Sequence, residues 1–185
     1  MNTISISSSQ LDAALTRVAP GLEKYCWIQD QLLTRNVATD RDFQKRFAGF
    51  YRVRRNGAWR AAYFGILEDA KTSPISFAEA LQLLRDATGQ VEASFASKLV
   101  ATVNPELPVI DSVVVGNLGM KVPKANDATR MRKLVELHQN LAAAYAAYLS
   151  SEDGRRLVTT FKGRYPSRKV SELKMLDLVL WQIRE

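Results

Sequence analysis

Residues 89–123 read GQVEASFASKLVATVNPELPVIDSVVVGNLGMKVP. A glycine at a turn leads into an apolar stretch with helical spacing, expected from about Glu92 to Val103. Asn104-Pro105 stops it, because proline lacks the N–H that a helix interior needs. After a short proline-bounded loop, Asp111 stands where a side-chain cap starts another helix, a short one ending near Gly119. Strand alternation is missing from the stretch, so it sets the expectation of a helical fold.

Working outward, the same reading holds in both directions. Upstream, Ser76-Phe-Ala-Glu79 is a capping-box signature for a helix carrying Leu81 and Leu84, closed by Gly89. Asp40 caps a helix with Phe43, Phe47, Phe50 and Tyr51 on one face, and Asn56-Gly57 breaks it before a helix carrying Trp59, Ala62, Tyr63, Ile66 and Leu67. One or two N-terminal helices are expected, about 11–18 and 22–34, separated by Pro20-Gly21. Downstream, Asn126 or Asp127 caps the longest expected helix, striped by Met131, Leu134, Val135, His138, Leu141, Ala142, Tyr145 and Leu149. Ser151-Glu-Asp opens a helix ending near Lys162, and a last helix buries Leu173, Leu176, Val179, Leu180 and Ile183. The expectation is one all-α domain over residues 1–185, with seven to nine helices around one core.

The chain has 185 residues, 46% of them hydrophobic and 24% charged. That size buries most of its apolar surface without a disulfide or metal staple. The formal charge is +7 at pH 7, and an acidic partner follows from it, nucleic acid before an anionic membrane. Cys26 is the one cysteine and His138 the one histidine, too few for Cys/His metal centres. Residues 1–10 are polar and serine-rich, unlike a signal peptide, and residues 141–149 form the longest apolar run, well short of a bilayer span. A cytoplasmic protein with no membrane partner is expected.

Ile-Asp-Ser-Val-Val over 110–114, then Leu118-Gly119, all following the turn at Gly89 and an apolar helix, resembles the core of the helix-hairpin-helix DNA glycosylases. That superfamily includes endonuclease III and the adenine and oxoguanine glycosylases. The likeness covers about 35 residues, 89–123, within a helix-hairpin-helix-like segment of about 77–123. It implies an all-helical fold in which backbone amides of the hairpin, here Gly89 and Gln90, hold a DNA phosphate. It also implies that Asp111 stabilises the sugar cation formed as a flipped-out base departs, with no metal or organic cofactor. The family hairpin reads Leu-Pro-Gly-Val-Gly, whereas this chain has Gly89 alone. The position that carries a Schiff-base lysine in strand-cutting members aligns with Ser94, as in the monofunctional enzymes. Lys98 lies one turn further on the same face and becomes the amine if the register shifts.

Plainer roles stand beside these. Asp111 reads equally as an N-cap and nothing more, and Lys98 reads as a solvated lysine on a helix face. His138 reads as a hydrogen-bonded core residue and Cys26 as a small buried apolar one. Arg52, Arg54 and Arg55 form a basic corner between two aromatic-rich helices, suited to phosphate, with Tyr51 or Trp59 able to stack a base. Lys121, Lys124, Arg130, Arg132 and Lys133 form a second basic group beyond the aspartate helix, and Arg164, Arg168 and Lys169 a third. The functional expectation is a DNA-binding protein resembling a monofunctional DNA glycosylase. The alternative is a non-catalytic helical module that binds DNA or an acidic protein.

Overall fold

Helix starts in this chain are set by short polar side chains. Ser7, Asp40, Asn56, Ser76, Asp111, Ser151 and Ser171 each accept a hydrogen bond from a backbone amide of the helix that follows. Each such bond satisfies one of the amides that a helix N-terminus leaves free. Ser7 with Gln10 and Ser76 with Glu79 complete reciprocal capping boxes.

The computed structural model describes residues 4–183. Among them the helices in chain order are α1 (Ser8–Leu32), α2 (Arg41–Tyr51), α3 (Gly57–Ala70), α4 (Phe77–Thr88), α5 (Ala93–Val103), α6 (Ser112–Asn117), α7 (Arg130–Leu149), α8 (Glu152–Arg164) and α9 (Glu172–Gln182). The described residues contain no strand, so the fold is all-α. None of their helices is long and apolar enough to cross a membrane. Residues 1–3 of the polar N-terminal stretch lie outside the described residues; Ile4 and Ile6 within it are buried.

The N-terminal expectation needs correction. Pro20 does not separate two helices; α1 runs through it for 25 residues and is the longest helix among the described residues, ahead of α7 with 20. Pro20 denies the Thr16 carbonyl a partner at a cost of about 3 kcal/mol. The ring is solvent-exposed, while Val18, Leu22 and Tyr25 on the opposite side are buried. Burying three such side chains contributes roughly 1.5–3 kcal/mol each, so packing outweighs the break.

The start of α7 also differs. Its N-cap is Thr129, whose side chain makes no capping bond. The Asp127 carboxylate accepts from the Thr129 N–H at 2.8 Å and hydroxyl at 2.7 Å, and from Lys133 at 2.6 Å. Lys133 and Thr129 together hold Asp127 down to about 2. The carboxylate builds a turn ahead of the helix and does not cap the helix itself.

α9 is the centre of the molecule. Leu173 through Leu180 are all buried, and the helix packs on α1, α6, α7 and α8. A helix buried all round is normally apolar, yet this one carries Lys174 and Asp177. They pair with each other at 2.6 Å, and Asp177 also accepts from the Tyr145 hydroxyl at 3.2 Å. α4 packs between α3, α5 and α7. At its end Gly89 takes φ 73°, a left-handed conformation that glycine adopts without steric cost, and its amide closes the helix on Arg85.

Candidate functional site

The loop from Asn104 to Asp111 is held from three sides. Ser97, fully buried on α5, accepts from the Ile110 amide at 2.9 Å and donates to the Ser94 carbonyl at 3.0 Å. His138 of α7 donates from Nε2 to the Pro108 carbonyl at 3.1 Å and stacks on Phe77, with centroids 4.3 Å apart. Ser171 donates to the Pro105 carbonyl at 2.8 Å. Val109 and Ile110 are buried. Asp111 is therefore delivered to a fixed place, where its Oδ1 accepts from the Val113 amide at 2.9 Å and caps α6. Oδ2 accepts no hydrogen bond from the described residues.

Asp111 lines a cleft of about 580 Å³, within the rough range of 300–1,000 Å³ usual for small-ligand sites. Arg52 and Arg55 border it from the α2–α3 turn, Ser94, Phe95 and Lys98 from α5, Val113 from α6, Arg130 from α7 and Trp181 from α9. Asp111, Lys98, Arg52 and Arg55 are thus brought together. Arg54, Gly89, Gln90, Lys121 and Lys124 do not line the cleft; they are exposed positions elsewhere on the surface. The Gly89 amide is engaged by Arg85 and the Gln90 amide by the Thr88 hydroxyl.

Lys98 is not a solvated lysine. It is buried, its Nζ donates to the Tyr51 carbonyl at 3.3 Å, and it stands 5.1 Å from the centroid of the Phe95 ring. Tyr51 ends α2, so the lysine meets the negative end of that helix's dipole. Burial pushes its pKa down; the charges of Asp111 and Asp177 oppose that shift without reversing it. Arg52 follows at φ 55°, the one non-glycine left-handed residue among those described. Glycine is the usual residue at such a helix end, so the arginine is held at a steric cost and presents its guanidinium 5.8 Å from the Trp181 ring centroid.

Charge balance distinguishes this cleft. Among the described residues no carboxylate lies within ion-pair distance of Arg52, Lys98 or Arg130, and Arg130 Nε is buried without a hydrogen-bond partner. A second cleft of about 560 Å³ contains Glu23, Lys24, Trp27, Asp42, Lys45 and Arg46. There Asp42 pairs with Arg46, and Glu23 with Arg168, so its carboxylates are already engaged. The described residues hold no group of three or more His, Cys, Asp or Glu arranged for a metal ion.

Three contributors escape sequence reasoning. Ser97 looks like an ordinary helix serine, and its role appears only when the loop folds back onto it. Glu92 reads as an acidic residue at a helix start, yet it makes no capping bond. Its Oε2 accepts from the Trp59 indole N–H at 2.6 Å, and Oε1 accepts from Arg55. Trp181 packs edge-on against Phe50 beside Arg52. Only the last left a sequence signal, an aromatic off the apolar face of its helix.

No family model matches this chain, and neither a curated protein nor a solved structure does.

Proposed function

We propose that this chain is a cytoplasmic DNA-binding protein that acts as a monofunctional DNA glycosylase, of the helix-hairpin-helix kind its 89–123 segment resembles. One observation carries the reading: a carboxylate with a free oxygen shares a cleft with three cations that have no carboxylate partner. Unmatched cations suit phosphate, which arginine binds through two parallel hydrogen bonds. A base drawn from the stack enters the cleft, and the C1′–N bond breaks with its electron pair leaving on the base. Asp111 Oδ2 stabilises the positive charge that develops on the sugar, and water adds to C1′ while losing a proton. The exposed Arg54, Lys121 and Lys124 supply outer phosphate contacts.

Lys98 favours a second reading at the same site. A buried amine with a depressed pKa and only a neutral carbonyl for a partner is more nucleophilic than a free lysine. Its Nζ would bond to C1′ as the base leaves; loss of a proton and sugar ring opening then give an imine and a cleavable strand.

The test is base release from duplex and single-stranded DNAs carrying uracil, oxidised, alkylated or unmodified bases, with Asp111→Asn alongside. Release by the wild type and its loss in the variant support a glycosylase using Asp111. Borohydride trapping of a covalent complex, lost in Lys98→Met, supports the amine route. No release from any substrate, with salt-sensitive DNA binding unchanged in Asp111→Asn, leaves a non-catalytic DNA-binding module.

A further inference from the structure

Glu92 is a carboxylate only 7% exposed, at the head of α5 but unused by its helix. The two oxygens are held unequally. Oε2 is fixed by Trp59, which is buried with its ring stacked on Tyr63 at 5.0 Å and edge-on to Phe95 at 4.8 Å. Oε1 is held by Arg55, whose side chain is 39% exposed and lies over the Phe95 ring at 5.2 Å. All three, Glu92, Arg55 and Phe95, line the cleft of Asp111. A carboxylate taken out of water for a partly exposed partner does little for stability compared with apolar packing of the same volume. Its use lies in what it offers a ligand: a rigid acceptor, an aromatic face and a guanidinium that has somewhere else to go.

We infer that Glu92 reads the base held in the cleft, its Oε1 accepting a hydrogen bond from an exocyclic amino group as Arg55 moves to a DNA phosphate. The inference rests on the proposed DNA-binding site. An ionised carboxylate has acceptors and no donor, so it selects an amino edge and repels an oxo group at the same position. Arg55 meets phosphate with the guanidinium that it now turns to Glu92, and Phe95 lies against the base.

The experiment measures affinity in an Asp111→Asn background, where the base stays attached. The duplexes are identical except for one mispaired base, adenine against hypoxanthine and cytosine against uracil. The amino member of each pair is expected to bind about 10-fold tighter. Glu92→Gln keeps an oxygen for Trp59 and turns an NH2 toward the ligand, so the preference reverses. Arg55→Ala leaves the carboxylate in place; it weakens all four duplexes alike and keeps the amino preference, which holds the test open if Glu92→Gln does not fold. Equal binding within each pair, a preference untouched by Glu92→Gln, or one lost with Arg55→Ala overturns the inference. Base release by the wild type is scored separately. No release with the amino preference intact contradicts only the glycosylase reading, and release without that preference contradicts only the role of Glu92.

Discussion

Lys98 and Lys174 are both buried, and each ammonium stands 5.9 Å from the Tyr51 ring centroid. Their surroundings differ. Lys174 meets the Asp177 carboxylate at 2.6 Å; burial pushes its pKa down, but Asp177, Tyr51 and Asp111 outweigh burial and the net shift is upward. Lys98 has a carbonyl at 3.3 Å, borders a cleft, and is shifted downward. A buried lysine with its own carboxylate is an internal strut. One without is poised for an anion or for chemistry, and only the second lines the candidate site.

The strongest way to break that contrast is to remove one charge at each site in turn. Asp177→Asn strands Lys174 without compensation, and urea unfolding is expected to show a loss of about 3–5 kcal/mol. Lys98→Met removes a buried charge that lacks a carboxylate and should change stability by about 1 kcal/mol or less, in either direction. Equal losses in both variants would erase the distinction.

The pH dependence sharpens it. Lys98 is depressed in the fold, so the unfolded chain binds more protons, and stability rises as pH climbs through its folded pKa toward the ordinary 10.5. Lys174 is raised, so its contribution is complete below 10.5 and is lost as pH rises through its higher folded value. Thermal unfolding between pH 7 and pH 10 should therefore favour the wild type increasingly over Lys98→Met. The opposite trend would mean that Lys98 has an unrecognised partner.

Smaller effects test the strain at the cleft. Arg52→Gly relieves a left-handed arginine and should raise stability by up to about 1 kcal/mol while weakening DNA binding, a trade seen by pairing urea melts with binding curves. The smallest change is expected for Asp111→Asn. Asparagine caps helices as well as aspartate does, so stability should move by no more than about 0.5 kcal/mol while base release is lost. A large loss of stability would make Asp111 chiefly a structural cap.

Sequence reading recovered the helices that have local signatures. Asp40, Ser76, Asp111 and Gly89 act within one turn of their own position, and each does as its spacing foretold; Asn56 caps α3 and does not end α2, which already stops at Tyr51. It failed where tertiary packing decides. Pro20 breaks a helix in isolation but not one whose Val18, Leu22 and Tyr25 are buried against the rest of the fold. For the site, Asp111, Lys98, Arg52 and Arg55 were legible as chemistry, but the arrival of Arg52 and Arg55 beside Asp111 and Lys98 was not. Glu92 and Ser97 were illegible because their partners, Trp59, Arg55 and Ile110, are distant in sequence. Arg54, Lys121 and Lys124 carry the same charge as the cleft residues, and charge alone could not separate the two groups.

On the proposed reading, the unmatched cations of the cleft hold nucleic acid. The direct measurement is duplex-DNA affinity against salt concentration for the wild type and an Arg52→Ala, Arg130→Ala double variant. Each lost phosphate contact should lower the slope of log affinity against log salt by about 0.9, so a drop of about 2 is expected. A slope unchanged in the double variant, with binding intact, would contradict the account by showing that DNA is held somewhere else.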